Sequence, residues 1–244
     1  MVKNPYIILQ ARMNSERLPG KVMKPVGGKP LIGVLINRIL NPEIPVLLAT
    51  SVNPENDELV DFAMKSGIEV FRGSENNVLE RYFQAAKSVN ADLVFRLTGD
   101  NPFIDAGLIQ DVLNCYVSHE SPRTYVSTGI GETFPLGISV EAFSFALLEE
   151  AFHQATLPGE FEHVTPYMYQ NKGGNIKIVE FSSKLNRHHY RLTVDTPEDF
   201  ELIRRLIEDF GCASMPIDQI IPILDHHPEL AEINREVAQK TWCS

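Results

Sequence analysis

Along most of the 244-residue chain, short apolar runs alternate with segments whose apolar residues recur at helical spacing. Runs of strand length fall at residues 6–10, 46–49, 68–71, 93–97 and 190–194. A strand followed by a helix, repeated several times, is typical of a mainly parallel sheet with helices on both faces. The sequence therefore predicts an α/β fold.

Helices between these strands are predicted where apolar residues recur three or four positions apart. They cover residues 31–39, 55–65, 79–89, 108–116 and 200–210, and two more follow from residue 217. Thr196 before Pro197 is typical of a helix start, because threonine caps the first turn and proline fits within it. The stretch 120–185 is less regular, and we interpret it as a segment with inserted strands in a single domain that spans residues 1–244.

Composition excludes several classes of protein. With a net charge of −10, the chain lacks the basic face that a general nucleic-acid binder needs. No apolar run approaches the ~18 residues of a membrane helix, and the N-terminus lacks the pattern of a signal peptide. Cys115, Cys212 and Cys243 form neither a disulfide framework nor a zinc pattern. We therefore expect a cytoplasmic protein without nucleic-acid or membrane partners.

Three polar clusters follow predicted strands, at the edge of the sheet where ligands of such folds bind. They are the loop that begins at Ala11, the turn Gly99-Asp100-Asn101, and Asp195. Because the carboxyl ends of parallel strands share one edge, we expect these clusters to lie together.

The first cluster is a long loop that is rich in cations. Its basic residues, set against the single acid Glu16, are Arg12, Arg17, Lys21, Lys24 and Lys29. Cationic side chains neutralise phosphate charge and backbone N–H groups surround phosphate oxygens, so the loop suits a triphosphate. It matches neither the P-loop nor the dinucleotide fingerprint. The alternative is a solvated basic surface loop, and in either case we expect Lys21 to be exposed.

The two aspartates suit a hard divalent cation. Magnesium takes one or two carboxylates and completes its shell with phosphates and water, so Asp100 and Asp195 are candidate ligands. The alternatives are a turn before Pro102 for Asp100 and a helix-cap contact for Asp195.

The run QARMNSERLPGKVMKPVGGKPLI at residues 10–32 resembles the opening motif of the sugar-acid cytidylyltransferases. These comprise the CMP-Kdo synthetases, the CMP-sialic acid synthetases and the spore-coat polysaccharide cytidylyltransferases, to which this chain is most similar. The resemblance continues through RGSENNVLERYFQAAK, RLTGDNPFID and RLTVDTPEDFELIRR, and so spans residues 6 to about 207. It implies a three-layer α/β sandwich, the use of CTP and Mg²⁺, and a homodimer formed through the middle segment.

The resemblance also assigns site residues. It implies that Asp100 and Asp195 bind the metal and that Arg12 and Lys21 act on the phosphates. The nucleotide-binding residues that it implies are Ala11, Arg12, Ser15, Arg17, Lys21 and Thr98, with Arg72 and Ser74 at the cytosine edge. The expected acceptor-binding residues are Ser139, Glu141, Glu162 and His163, although His163 also fits a helix-surface histidine.

Two residues that differ from those of the related groups bear on the identity of the acceptor sugar. Thr98 stands where CMP-Kdo synthetases have glutamine, and Ser139 stands where the spore-coat group often has aspartate. We expect an acidic eight- or nine-carbon keto sugar, whose carboxylate coordinates the metal at Asp195.

Two other functions remain open at this point. A glycosyltransferase would need an Asp-x-Asp motif in the middle of the chain, and Asp100 stands there without a second aspartate. A catalytically silent nucleotide-binding protein would have lost Lys21 or one of the aspartates, and all three are present.

Overall fold

The computed structural model describes residues 2–41, 43–119 and 121–239. Within these ranges, seven strands form one sheet in the order β5-β4-β1-β6-β8-β7-β9. The strands of this sheet are β1 (Pro5–Gln10), β4 (Val46–Ser51), β5 (Glu69–Gly73), β6 (Leu93–Thr98), β7 (Thr124–Ser127), β8 (Glu141–Ser144) and β9 (Lys177–Glu180). A separate hairpin joins β2 (Pro25–Val26) to β3 (Lys29–Pro30).

Helices cover both faces of the sheet. They are α1 (Leu31–Ile39), α2 (Asp57–Lys65), α3 (Val78–Ser88), α4 (Ala106–Ser118), α5 (Phe145–Gln154), α6 (Pro158–His163), α7 (Pro166–Tyr169), α8 (Pro197–Glu208), α9 (Ile217–His226) and α10 (Pro228–Ala231). Short 3₁₀ helices lie at Lys21–Met23, Pro54–Asn56 and Glu232–Asn234. No helix in the described part of the chain is long and apolar enough to span a bilayer.

Side-chain alternation in the central strands builds two cores. In β1, Ile7 and Leu9 pack with α1, α4 and α8, whereas Ile8 packs on the opposite face with α3 and α5. Successive residues of a strand point to opposite faces, so one buried strand supplies both cores. The predicted three-layer α/β fold is confirmed.

Pairing within the sheet changes from parallel to antiparallel at β8. Strands β5, β4, β1 and β6 run parallel to one another, while β8 runs antiparallel to both β6 and β7. The strands expected within residues 120–185 are therefore present, and they extend the sheet beyond β6.

The prediction of a strand at residues 190–194 was wrong. The segment is extended, but its backbone hydrogen bonds go to loop residues: Leu192 N donates to Leu136 O, and Val194 N donates to Asp100 O. Arg191 forms one isolated bridge with Leu136 rather than a ladder. The helix start at Thr196 is confirmed, because the Thr196 hydroxyl accepts from Asp199 N at 3.3 Å.

The described cysteines are free thiols, with Cys212 buried and Cys115 half-buried. Cys243 lies outside the described residues.

Candidate active site

A cavity of about 860 Å³ opens at the carboxyl ends of β1 and β6. Ten of the predicted site residues line it: Ala11, Arg12, Ser15, Arg17, Lys21, Thr98, Asp100, Glu162, His163 and Asp195. The cavity therefore brings together the three polar clusters that the sequence placed at this edge of the sheet.

The loop after β1 is folded back on itself at the mouth of the cavity. The Met13 carbonyl accepts hydrogen bonds from Ser15 N at 3.0 Å and Gly20 N at 2.9 Å, and Gly20 has φ 68°. A left-handed backbone is accessible to glycine at little cost, which explains the residue at this turn. The turn delivers Lys21 into the cavity.

Close backbone approach joins the ends of β1 and β6. Gly99 N donates to Gln10 O at 2.7 Å, and a Cβ at Gly99 would lie only 2.8 Å from both Ala11 Cβ and Ile32 Cδ1. A larger residue at this position would push the loop and the Asp100 turn apart.

The Lys21 ammonium lies between the two aspartates. Its Nζ is 2.8 Å from Asp100 Oδ2, 2.9 Å from Asp195 Oδ1 and 2.7 Å from the Val194 carbonyl. Lys21 is 8% exposed, so the expectation of an exposed side chain was wrong. The reason is that these three acceptors satisfy the ammonium below the surface.

Asp195 is held by further cations. Its Oδ2 is 2.9 Å from both Arg17 Nη2 and Arg191 Nη2. Arg191 also pairs with Asp199, which is fully buried and accepts from the backbone N–H of Asp195 at 3.0 Å. Asp195 therefore has a fixed position although no strand carries it.

These contacts shift the pKa values of Lys21 and Asp195, among others. Burial lowers the pKa of Lys21, but the Asp100 and Asp195 carboxylates raise it by more. Burial raises the pKa of Asp195, but Lys21, Arg17 and Arg191 lower it by more. These directions favour a charged Lys21 ammonium beside a charged Asp195 carboxylate.

The same geometry bears on a divalent metal. The Lys21 ammonium stands where oxygens of Asp100 and Asp195 converge on one cation. In residues 2–41, 43–119 and 121–239, no group of three or more His, Cys, Asp or Glu side chains could hold a metal alone. Two carboxylates completed by phosphates and water are what Mg²⁺ usually takes, so the donor set fits that ion together with a triphosphate.

Arg72 and Ser74 do not line this cavity. Arg72 donates to Asp57 Oδ1 at 2.7 Å and to the Asn53 carbonyl at 2.8 Å, and so ties β5 to the start of α2. Ser74 Oγ accepts from Asn77 N in the turn before α3. At this position along the chain, Glu75 and Asn76 line the cavity instead, and Glu75 pairs with Arg12 at 3.0 Å.

Two of the expected acceptor-binding residues also lie away from the cavity lining. Ser139 is half-buried in the segment before β8. Glu141 is buried and accepts from Arg96, from the Tyr125 hydroxyl, and from Thr165 Oγ1 at 2.7 Å. His188 contacts the Phe134 carbonyl, and the His189 ring lies tilted against the Tyr190 ring with 4.1 Å between their centres. Neither of these two histidines is part of the cavity lining.

Arg96 lines the cavity and was not predicted as a site residue. The signal in the sequence is a lone cation inside the apolar strand Leu93–Thr98. Nearby, His163 has its pKa lowered to about 3 by burial and by the positive charge of Arg96. His163 is therefore neutral at physiological pH.

Comparison with known proteins identifies the family of this chain. The cytidylyltransferase family profile matches residues 6–221. The spore coat polysaccharide biosynthesis protein SpsF of Bacillus subtilis is 33% identical, with 92% of this chain and 95% of SpsF covered. A 3-deoxy-manno-octulosonate cytidylyltransferase of Chlorobium limicola is 32% identical, with 88% of this chain and 90% of that protein covered. A cytidylyltransferase structure from Leptospira borgpetersenii has a TM-score of 0.87 at 30% identity, with 98% of this chain and 99% of that chain covered. The chain thus belongs to the cytidylyltransferase family of nucleotidyltransferases, as its motifs indicated.

Proposed function

We propose that this protein transfers CMP from CTP to a hydroxyl group of a sugar acid and releases pyrophosphate. The observation that carries the proposal is the position of Lys21, a residue of the cationic loop, between Asp100 and Asp195 in the cavity lining. Relatives named for spore-coat polysaccharide biosynthesis and for 3-deoxy-manno-octulosonate activation support a sugar-acid acceptor.

In this reaction the acceptor oxygen forms a bond to the α-phosphorus of CTP as the bond to the β-phosphate oxygen breaks. The acceptor hydroxyl gives its proton to water, and pyrophosphate leaves with the bonding electrons. Arg12, Arg17 and Lys21 line the cavity together, so they can stabilise charge on the triphosphate and on the leaving group. Fixing both reactants in one cavity supplies a further part of the rate enhancement.

Asp100 and Asp195 would hold the Mg²⁺. When bound, the ion neutralises phosphate charge, as metal ions do in other phosphoryl-transfer sites. Lys21, which lines the same cavity, would then have phosphate oxygens as partners in place of the two carboxylates.

The assembly that we propose is a homodimer that pairs through the segment 120–185, which also helps to bind the acceptor. Glu162 and His163 of α6 bring this segment to the cavity. A reaction that consumes CTP also suits the cytoplasmic location expected from the cysteine pattern.

The test is pyrophosphate release in the presence of CTP, Mg²⁺ and a panel of sugar acids, with mass spectrometry to identify the CMP-sugar. UTP, GTP and ATP serve as nucleotide controls. We expect turnover with CTP and at least one sugar acid. If no acid supports CMP transfer, or if another nucleotide replaces CTP, the proposed function is wrong.

A further inference from the structure

We propose that Arg96 recognises the acceptor by donating hydrogen bonds to its carboxylate. The inference rests on the proposed function, because it assigns a role within the acceptor part of the same cavity. It makes Arg96 a specificity-determining residue that is distinct from the cations of the loop after β1.

The position of Arg96 follows from the alternation of β6. Phe95 and Leu97 belong to one core, whereas Val94 belongs to the core on the other face. Arg96 and Thr98 share that second face, and both line the cavity. Two residues along a strand span roughly 7 Å, so Arg96 lies one repeat deeper in the sheet than Thr98.

A rigid support fixes the guanidinium group. Nη1 donates to Glu141, and the carboxylate of Glu141 is itself held by Tyr125 and by Thr165. The guanidinium carbon lies 5.8 Å from the centre of the Tyr82 ring, within the range of a cation–π contact. Little side-chain entropy remains to be lost when a ligand binds to a group held in this way.

Arg96 nevertheless has donor capacity to spare. A guanidinium carries five N–H groups, and the Nε of Arg96 is buried without an acceptor among the described residues. The side chain is 15% exposed, and it forms part of the cavity lining. Because Arg96 pairs with Glu141 through Nη1 and its side chain is partly exposed in the cavity lining, the guanidinium can still bind a ligand there.

The cations that line the cavity belong to two regions, the loop after β1 and strand β6. Of these cations, three belong to the loop after β1, and Arg96 lies in β6. His163, close to Arg96, is neutral, so it adds no second positive charge there. The loop cations suit the triphosphate, and Arg96 is left to meet an anionic group of the acceptor.

Of the groups on a sugar acid, the carboxylate fits Arg96 best. The planar guanidinium matches the planar carboxylate, and hydrogen bonds between charged groups are the stronger ones. This placement competes with a carboxylate that coordinates the metal at Asp195. The two alternatives predict different behaviour for Arg96 variants.

The experiment measures KM for the acid and for CTP, by pyrophosphate release, with 3-deoxy-manno-octulosonate, N-acetylneuraminate and their methyl esters. The variants are R96K, which keeps the charge, and R96Q/E141Q, which removes both members of the buried pair and leaves neither charge unpaired. The matched control is R204Q, because Arg204 pairs with Glu201 and Glu208 on α8, outside the cavity lining. Thermal melting checks that each variant is folded.

We expect R96K to raise KM for the acid roughly 10- to 150-fold, the range for a lost hydrogen bond to a charged group, with KM for CTP unchanged. The wild type should prefer the acid to its methyl ester, R96Q/E141Q should lose that preference, and R204Q should behave as wild type. If the double variant does not fold, R96K and the wild-type ester preference still decide the question.

Three results overturn the inference alone: an unchanged KM for the acid in R96K, a rise in KM for CTP instead, or a wild type that uses ester and acid equally well. The proposed function fails in a different way. In that case the wild type turns over none of the acids, and this inference is refuted with it.

Discussion

Lys21→Met should lower stability as well as abolish turnover. Methionine keeps most of the length of the side chain but removes the ammonium, whose contacts to Asp100, Asp195 and Val194 are 2.7–2.9 Å long. Removing one partner of a buried ion pair costs about 3–5 kcal/mol. Here the cost is smaller, because the Asp100 side chain is 26% exposed and Asp195 keeps two arginine partners.

We therefore expect a loss of about 2–3 kcal/mol in the free energy of unfolding. For a chain of this size that corresponds to a decrease of roughly 4–12 °C in Tm. An exposed lysine, as the sequence suggested, would cost under ~0.5 kcal/mol. The measurement is urea and thermal unfolding without divalent metal, with pyrophosphate release measured in parallel.

Lys29→Met is the matched control, since Lys29 is exposed and lies in the same cationic segment. Magnesium adds a second arm to the test. Without the competing ammonium, Asp100 and Asp195 are free to bind the ion, so Mg²⁺ should raise Tm more in Lys21→Met than in the wild type. An unfolding curve that matches that of Lys29→Met, or retained turnover, would refute the role assigned to Lys21.

Three further variants and titrations test other parts of the site. Asp100→Asn and Asp195→Asn should each shift the Mg²⁺ dependence of activity to higher concentration, because each loses a charged ligand; titrations that superimpose on wild type would exclude these residues as ligands. With a pKa lowered to about 3, the His163 imidazole should stay neutral between about pH 5 and 8, so its NMR signals should not titrate there, and a midpoint near 6.5 would contradict its burial beside a cation. Asn234 is buried and donates to the Arg191 carbonyl at 3.0 Å, so Asn234→Ala should cost about 1–3 kcal/mol in urea unfolding and also lower activity by loosening Asp195; an unchanged unfolding midpoint would show that this contact is dispensable.

The parts of the fold that could be predicted are those whose signal is local. Strands β1, β4 and β6 are apolar runs whose hydrogen bonds stay within the sheet, and the cap at Thr196 depends on residues three positions apart. The segment 190–194 has the same local pattern, yet its partners are loop residues. Local sequence cannot distinguish these two environments.

The candidate site shows the same difference between features with a local signal and features that depend on distant residues. The cationic loop and Asp100 were recognisable because motif and strand-end position agree, whereas Asp195 was recognisable from its motif alone. The burial of Lys21 could not be predicted, because its carboxylate partners lie 79 and 174 residues away in the sequence. Arg72 was expected at the cytosine edge, but backbone carbonyls at the end of β4 and the Asp57 carboxylate take up its guanidinium. Arg96 was missed although it lines the cavity. Its signal in the sequence was a single cation inside an apolar strand.

The charge balance of the site makes a last prediction about the order of binding. Asp100 and Asp195 carry two negative charges, and three cations, Lys21, Arg17 and Arg191, already lie within 2.9 Å of their oxygens. A divalent ion that approaches the free protein therefore meets carboxylates that are already neutralised, and it must displace an ammonium. A bound triphosphate would attract Lys21 and Arg17 away and leave the aspartates to the metal, so nucleotide and metal should each strengthen the binding of the other.

Couplings of this kind are typically 5- to 150-fold. Mn²⁺ titrations followed by electron paramagnetic resonance should therefore give a Kd for Mn²⁺ that is lower by about that factor when CTP is present. The titration uses Lys21→Met as its control, in which the gain from CTP should shrink because one competing cation is already gone. Equal enhancement in both proteins would mean that CTP simply supplies phosphate ligands and that Lys21 does not compete with the metal.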